Sequence, residues 1–410
     1  MSAENSSIHE HANRGWIVTF AGLGINLALG VLYTWSMFKG AIEKDFGWPK
    51  ADLNGPYSLC CLVFAFAMIV AGRCQDKIGP RATASLGGVF VAAGMILIST
   101  TTSYAVWMVG FGLLVGLGLG FGYSSATPPA LKWFPPSKTG LIAGLVVAGF
   151  GLAPVYLAPT SEYLLGHYGV LRSMMIFGVA FLVIVVGLAQ LLMNPPQGYV
   201  AAGSVPGAKP AAAGSSPAEA VRTPQFWILW LIYLIGAGAG LMVISSISGM
   251  AKKSMGGQAF VAVAVMAVGN AGGRVLAGVL SDKIGRRWTL MLVLVLQAVL
   301  MFAAIPVTGS KDTGALLIVL VAALIGANYG ANLSLFPSFA KDLWGLKSFG
   351  MNYGFLFTAW GVGGYMLSQL QQKLTAASGG SFTSSFQTAG GLLLLGAALT
   401  LLIKPRPVAH

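Results

Sequence analysis

The sequence predicts an all-α membrane protein, with twelve spanning helices in two six-helix halves related by an internal repeat. Three observations predict it. Of 410 residues, 56% are hydrophobic and 9% charged, against about 25% charged in a soluble domain. Apolar runs of about 20 residues, enough to cross a hydrocarbon core about 30 Å thick, recur along the whole chain. Finally, GRCQDKIGPR at 72–81 returns as GVLSDKIGRR at 278–287, half a chain later. That spacing makes the halves copies in parallel orientation.

The first half places its spans near 16–38, 54–74, 82–102, 104–126, 140–164 and 170–193. The polar first 13 residues, followed by an apolar run from Trp16 with no small-residue cleavage site, mark an uncleaved first span. Glycines from Gly110 to Gly122 lie within an apolar span, with no preceding strand and no Walker lysine, so they signal close helix packing. Pro154 and Pro159 are expected to kink the fifth span. Residues 194–224 are rich in Ala, Gly, Pro and Ser and read as a flexible cytoplasmic linker between an N-terminal half, 1–193, and a C-terminal half, 225–410. Thr223-Pro224 starts the seventh helix, with Thr as cap and Pro at a tolerated first position. The later spans fall near 225–249, 256–280, 288–309, 314–339, 348–371 and 384–403.

Charge sets the orientation. With both termini inside, the cytoplasmic segments hold fifteen Lys and Arg and the outer loops eight, which is the positive-inside bias. The expected location is therefore a cell membrane, the inner membrane of a bacterium, with both termini cytoplasmic. The net charge of +13 resides in these short loops and is a topology signal, so no nucleic-acid partner is expected. Cys60, Cys61 and Cys74 lack metal or disulfide spacing. No Ser-His-Asp, Cys-His or paired-carboxylate set lies at membrane depth, so neither an enzyme nor a cofactor is expected.

One cation stands apart. Arg274 lies deep inside an apolar run, eight residues before Asp282, or about 12 Å along a helix and close to the bilayer midplane. An intramembrane arginine costs several kcal/mol unless something pairs with it. Its guanidinium keeps its proton in any protein environment. The acids Glu4, Glu10, Glu43, Asp45, Asp52, Asp76, Glu162, Glu219, Asp282, Asp312 and Asp342 all lie in tails, loops or span ends. A substrate anion, held by a bidentate arginine–carboxylate fork, best supplies the missing charge. Asn270 lies one turn earlier on the same face, placed to hydrogen-bond the substrate or to steer the guanidinium. Tyr33, Tyr123 and Tyr329 offer phenol donors on apolar bodies within the first, fourth and tenth spans.

The paired G-xxx-D-[KR]-x-G-x-R loops, six spans apiece and a central linker resemble the major facilitator superfamily along the whole chain. KWFPPSKTGLIAG (132–144), GFGLAP (149–154), RTPQFW (222–227), FPS (336–338) and NYG (352–354) resemble the oxalate:formate antiporter and monocarboxylate transporter group within it. The resemblance implies that Arg274 binds substrate carboxylate and that Tyr33 and Tyr123 contact substrate. Tyr329 sits one turn earlier than its nearest counterpart. Counted from NYG, Trp360 stands where the oxalate exchanger carries a second embedded cation, a lysine, so the site is expected to prefer one carboxylate on a small uncharged tail. Phe357 and Leu145 are the candidates for its apolar side. Animal monocarboxylate transporters carry an acid at the place of Asn270 and a lysine near Ser36 and Met37, and both are absent here.

The resemblance therefore implies alternating-access transport of lactate- or pyruvate-like monocarboxylates, with a co-transported proton. The alternative is an oxalate:formate-type anion exchanger, which a carrier with a bare arginine would suit. The two repeat loops read as gates, with Asp76 and Arg81 in the first and Asp282 and Arg286 in the second, paired as ions that hold one conformation.

Overall fold

The structure is a computed structural model that describes residues 2–49, 52–53, 55–196, 198–199, 201, 214–255, 259–309, 314–378 and 381–404. Most of the expected linker, 202–213, lies outside the described residues, as do Lys50, Lys209, Lys311 and Arg406. Regular structure among the described residues is helical throughout. Apolar residues on all sides of a helix suit burial in protein on one face and in lipid on the other. Helix α10 (Ala259–Ile284) illustrates this, with Arg274 fully buried and Leu276, two residues on, 70% exposed.

In the first half, α1 (Ser2–Leu29) runs into a tighter 3₁₀ segment at Gly30–Thr34 and continues as α2 (Trp35–Phe46). The first span is thus longer than expected and is broken where Tyr33 sits. A Cβ on Gly30 would collide with Ala153, so the break seats the chain against the fifth span. Helices α3 (Gly55–Ile78) and α4 (Pro80–Ile98) follow. The fourth span comprises α5 (Tyr104–Trp107), a π-helical stretch at Met108–Val115 and α6 (Gly116–Lys132). Its glycines pack on backbone, Gly116 against the Cys60 carbonyl and Gly118 against that of Gly87, the close helix approach expected of them.

Helix α7 (Thr139–Ala189) carries both the fifth and sixth spans, because Gly169 turns the chain at φ 70° and ψ 179°. Pro154 and Pro159 lie inside it without leaving helical backbone angles. The turn between the fifth and sixth spans is made at Gly169, since only glycine tolerates that region.

Between the halves, α8 (Pro217–Val221) is a single capped turn. Ser216 and Glu219 form a reciprocal capping box, and the backbone N–H of Ser216 holds the Glu219 carboxyl below its usual range. The stretch read as a linker thus contains ordered helix. Its backbone is tied to the second half, with Ser215 N–H donating to the Trp344 carbonyl and Asn352 Nδ2 donating to Ser215. Helix α9 (Pro224–Met255) begins at Pro224, and Thr223 Oγ1 accepts the Phe226 N–H at 3.3 Å. Helices α11 (Arg286–Gly309), α12 (Ala315–Trp344), α13 (Phe349–Ala377) and α14 (Thr383–Leu399) complete the second half.

Ten helical stretches among the described residues are long and apolar enough to cross a membrane. One of them holds two passes across Gly169. Helix α13 has the length but carries Asn352, Tyr353 and Trp360 where others carry aliphatics.

The halves meet along two equivalent seams, α3 on α13 and α10 on α7. A Cβ on Gly72 would strike the Gly350 carbonyl, and one on Gly278 that of Gly140. One turn deeper, a Cβ on Gly354 would sit 2.5 Å from the Met68 carbonyl oxygen, and one on Gly144 2.5 Å from that of Arg274. The repeat seen in sequence is therefore a pseudo-twofold axis in space.

Gly169→Ala should cost about 1–3 kcal/mol, because alanine avoids that backbone region. Gly166→Ala, in open helical surroundings, should instead hold or raise the unfolding temperature in detergent, being worth up to about 1 kcal/mol.

Candidate functional site

Where the seams converge, the side chains of Tyr33, Phe64, Tyr123, Phe150, Arg274, Leu333, Phe357 and Trp360 enclose a cavity of about 10 Å³. That is room for about one water.

Arg274 enters from α10 and is fully buried. Its Nε donates to Asn270 Oδ1 at 2.9 Å, and its Nη1 donates to the Val147 carbonyl of the opposite half. Nη2 has no partner among the described residues. Three of the five N–H donors of the fork therefore remain. No carboxylate hydrogen-bonds the guanidinium among the described residues. Gly151 leaves room for the Arg274–Asn270 hydrogen bond, because a Cβ there would sit 3.2 Å from Arg274 Nε and 3.1 Å from Asn270 Oδ1. Asn270 thus steers the guanidinium.

A hydrogen-bonded row faces it. The Trp360 indole N–H donates to the Tyr329 hydroxyl at 2.9 Å, and that oxygen lies 2.9 Å from the Tyr33 hydroxyl. Tyr329 stands behind the wall and fixes two residues that form it, one from each half. Tyr123 packs against Phe64, Phe150 and Phe357 with ring centroids 5.4–5.6 Å apart. Phe357 stacks on Trp360 at 5.2 Å.

Of the residues singled out in sequence, Arg274, Tyr33, Tyr123, Phe357 and Trp360 line the cavity, while Asn270 and Tyr329 support it. Leu145 does not line it. Five residues before Phe150, it is turned about 140° round α7 from the cavity wall. Phe64, Phe150 and Leu333 take the apolar positions instead. Phe150 lay in the GFGLAP string as a visible signal, whereas Phe64 had no motif to mark it.

The face bearing the repeat loops is closed by acids at helix starts. Asp76 accepts the backbone N–H groups of Gly350 and Met351 at 3.2 Å each, at the beginning of α13. Asp282 accepts those of Gly140 and Leu141 at 2.9 and 3.0 Å, at the beginning of α7. A carboxylate there satisfies otherwise unpaired donors and complements the helix dipole. The expectation of ion pairs holds for the second loop alone, where Arg286 bonds Asp282 at 2.5 Å and Asp342 at 3.0 Å. Arg81 instead donates its Nε–H to the Leu192 carbonyl at 2.8 Å, tying α4 to the end of α7. Sequence reasoning missed Lys341, which is buried and donates to Thr139 Oγ1 at 2.6 Å across the halves.

Residues 16–367 match the family model described as Major Facilitator Superfamily. The oxalate:formate antiporter of Oxalobacter formigenes is 29% identical over 353 residues, covering 85% of this chain and 81% of that protein. Monocarboxylate transporter 11 of Homo sapiens is 24% identical over 394 residues, covering 93% and 81%. The crystal structure of the E. coli fucose:proton symporter superposes with a TM-score of 0.70 at 15% identity, covering 95% of this chain and 98% of that one. That last likeness is one of fold.

Asp282→Asn should speed hydrogen–deuterium exchange at the Gly140 and Leu141 amides by about tenfold or more, the loss of one charge-assisted bond. Asp76→Asn should act on Gly350 and Met351 instead, and less strongly, having no arginine to release.

Proposed function

The chain belongs to the Major Facilitator Superfamily of membrane transporters, and from that premise we propose that it carries small monocarboxylates of lactate or pyruvate size by alternating access. One observation carries the proposal. Arg274 is a fully buried fixed cation with Nη2 unpartnered, at a cavity otherwise walled by aromatic and aliphatic side chains. A carboxylate arriving on the free edge of the fork gains a charge-assisted bidentate bond where water is scarce. Tyr33 and Tyr123 stand on the wall as neutral donors, and the tail of the acid meets Phe64, Phe357 and Trp360. Trp360 spends its only polar hydrogen on Tyr329, leaving an uncharged surface that suits one carboxylate better than two.

Binding neutralises Arg274, which lowers the cost of moving it as the halves rock. Opening the repeat-loop face then separates Asp76 from α13 and Asp282 with Arg286 from α7. In this reading those acids and Arg286 are gating residues, both termini are cytoplasmic, and residues 1–193 and 225–410 move as the two halves. We favour proton-coupled uptake, which the resemblance to the monocarboxylate transporter group implies; the relative named as a monocarboxylate transporter supports the substrate class. Exchange of the oxalate:formate type is favoured by a different observation: among the described residues no acid hydrogen-bonds Arg274, so the unloaded carrier returns with a bare charge.

Uptake of labelled L-lactate into proteoliposomes separates the two. Symport predicts uptake driven by an inward proton gradient into vesicles without internal lactate. Exchange predicts uptake only into vesicles preloaded with unlabelled lactate. Absence of uptake in both, with no competition by other small monocarboxylates, would overturn the proposal. Arg274→Ala should abolish substrate-induced thermal stabilisation while leaving the protein folded. Trp360→Lys should shift competition toward dicarboxylates such as oxalate by about tenfold or more, the worth of one added charge contact.

A further inference from the structure

Behind the cavity lie two phenols, Tyr233 and Tyr353, that the reading above does not use. Tyr353, Phe357 and Trp360 fall at i, i+4 and i+7 on one face of α13, a ladder about 10 Å long. Trp360 ends it at the cavity. Tyr353 begins it two residues beyond Met351, whose N–H is held by Asp76.

Phe357 is the middle rung, and its ring is surrounded. Phe64 and Trp360 lie 5.2 Å from it on the cavity side. Tyr123, Tyr353 and Tyr233 lie at 5.4, 5.8 and 6.1 Å. Helices α9 and α13 both start at the repeat-loop face, and helical side chains lean toward the start of their helix. Tyr233 and Tyr353 therefore lean away from the cavity and toward that face. Tyr233 is fully buried and Tyr353 2% exposed. Both rings pack on Phe357, one from α9 and one from α13. Yet neither the Tyr353 oxygen nor that of Tyr233 completes a hydrogen bond among the described residues. Two unsatisfied phenols side by side in the core of a bundle are costly and call for a reason.

We propose that Tyr123, Tyr233 and Tyr353 form a second carboxylate station between Arg274 and the repeat-loop face, with Phe357 as the partition between the two. The inference rests on the monocarboxylate reading. Phenols donate to a carboxylate without charge, so the station binds more weakly than Arg274 does. A pathway needs that order, because a substrate held by one strong site leaves slowly unless a weaker site receives it. Tyr123 belongs to both places, bordering the cavity and packing on the same Phe357 ring as Tyr353, and hands the carboxylate across as the Phe357 ring turns. The three phenols come from both halves, so the station is complete only while the halves are close at this depth.

The test is the Tyr233→Phe/Tyr353→Phe double variant, which removes two oxygens and keeps every ring. Equilibrium binding of L-lactate is read by thermal shift, and self-exchange of L-lactate is read in proteoliposomes. The expected result is an exchange rate about tenfold lower with the binding midpoint within twofold of wild type. Unchanged exchange with a raised melting temperature would overturn the station and leave the hydroxyls as tolerated packing defects. Binding and exchange falling together would also overturn it, assigning the hydroxyls to the Arg274 site. A wild-type protein that shows no shift with any small monocarboxylate would remove the underlying reading, and the station with it. If the double variant does not fold, Tyr233→Phe alone decides, since stacking on Phe336 at 3.8 Å holds its ring in place.

Discussion

Backbone-to-backbone contact between the halves is the constraint on which the rest depends. Lipid tails are as apolar as leucine, so no hydrophobic force draws two membrane helices together, and close packing must do so. Gly144 and Gly354 let one helix lie directly on the carbonyls of Arg274 and Met68. This contact is also what makes the site. It brings the Val147 carbonyl to the guanidinium and leaves the Asn270 and Arg274 side chains the space that a Cβ on Gly151 would take. The charge is buried because the halves touch, and the halves touch there because glycine lines the seam.

The polar groups divide their work by depth. At the repeat-loop face, carboxylates meet helix starts and one arginine, in bonds of about 1.5–3 kcal/mol each that a small rotation breaks together. At the centre, one cation is balanced by a backbone carbonyl and an amide oxygen, neither of which carries a full charge. The cavity is therefore held short of neutrality by its own residues. On the proposed reading, parting the halves costs bonds at the face, and an anion in the cavity offsets the charge at the centre. A transport cycle needs two such opposed terms of similar size.

Much of this was legible in the sequence, for identifiable reasons. Arg274 was visible because a single cation in an apolar run is costly unless something pairs with it. The halves were visible because the repeat loop was copied almost intact. Thr223-Pro224 marked a helix start that the backbone follows. Other features needed neighbours that one chain of letters does not name. Leu145 and Phe150 are equally apolar, and only the rotation of α7 against α10 decides which faces inward. Phe64 carries no motif, yet four aromatic rings meet it. Arg81 repeats the loop pattern but finds the Leu192 carbonyl, because the end of the sixth span lies nearer than Asp76 does. Gly169, one of 56 glycines, makes the turn between the fifth and sixth spans, and nothing in the letters sets it apart from the others.

The pseudo-twofold axis has a meaning for descent. At the offset that superposes the two loops, Asn270 and Arg274 coincide with Phe64 and Met68, and both pairs sit on equivalent glycine seams. A repeat presents every position twice, so one copy can hold apolar packing at the seam while the other holds a charge. Equivalent positions are thus free to diverge in chemistry without diverging in shape. New specificities in such a lineage have two places to arise, and the uncharged copy, Phe64 and Met68, is the one where a further polar group has not yet been spent.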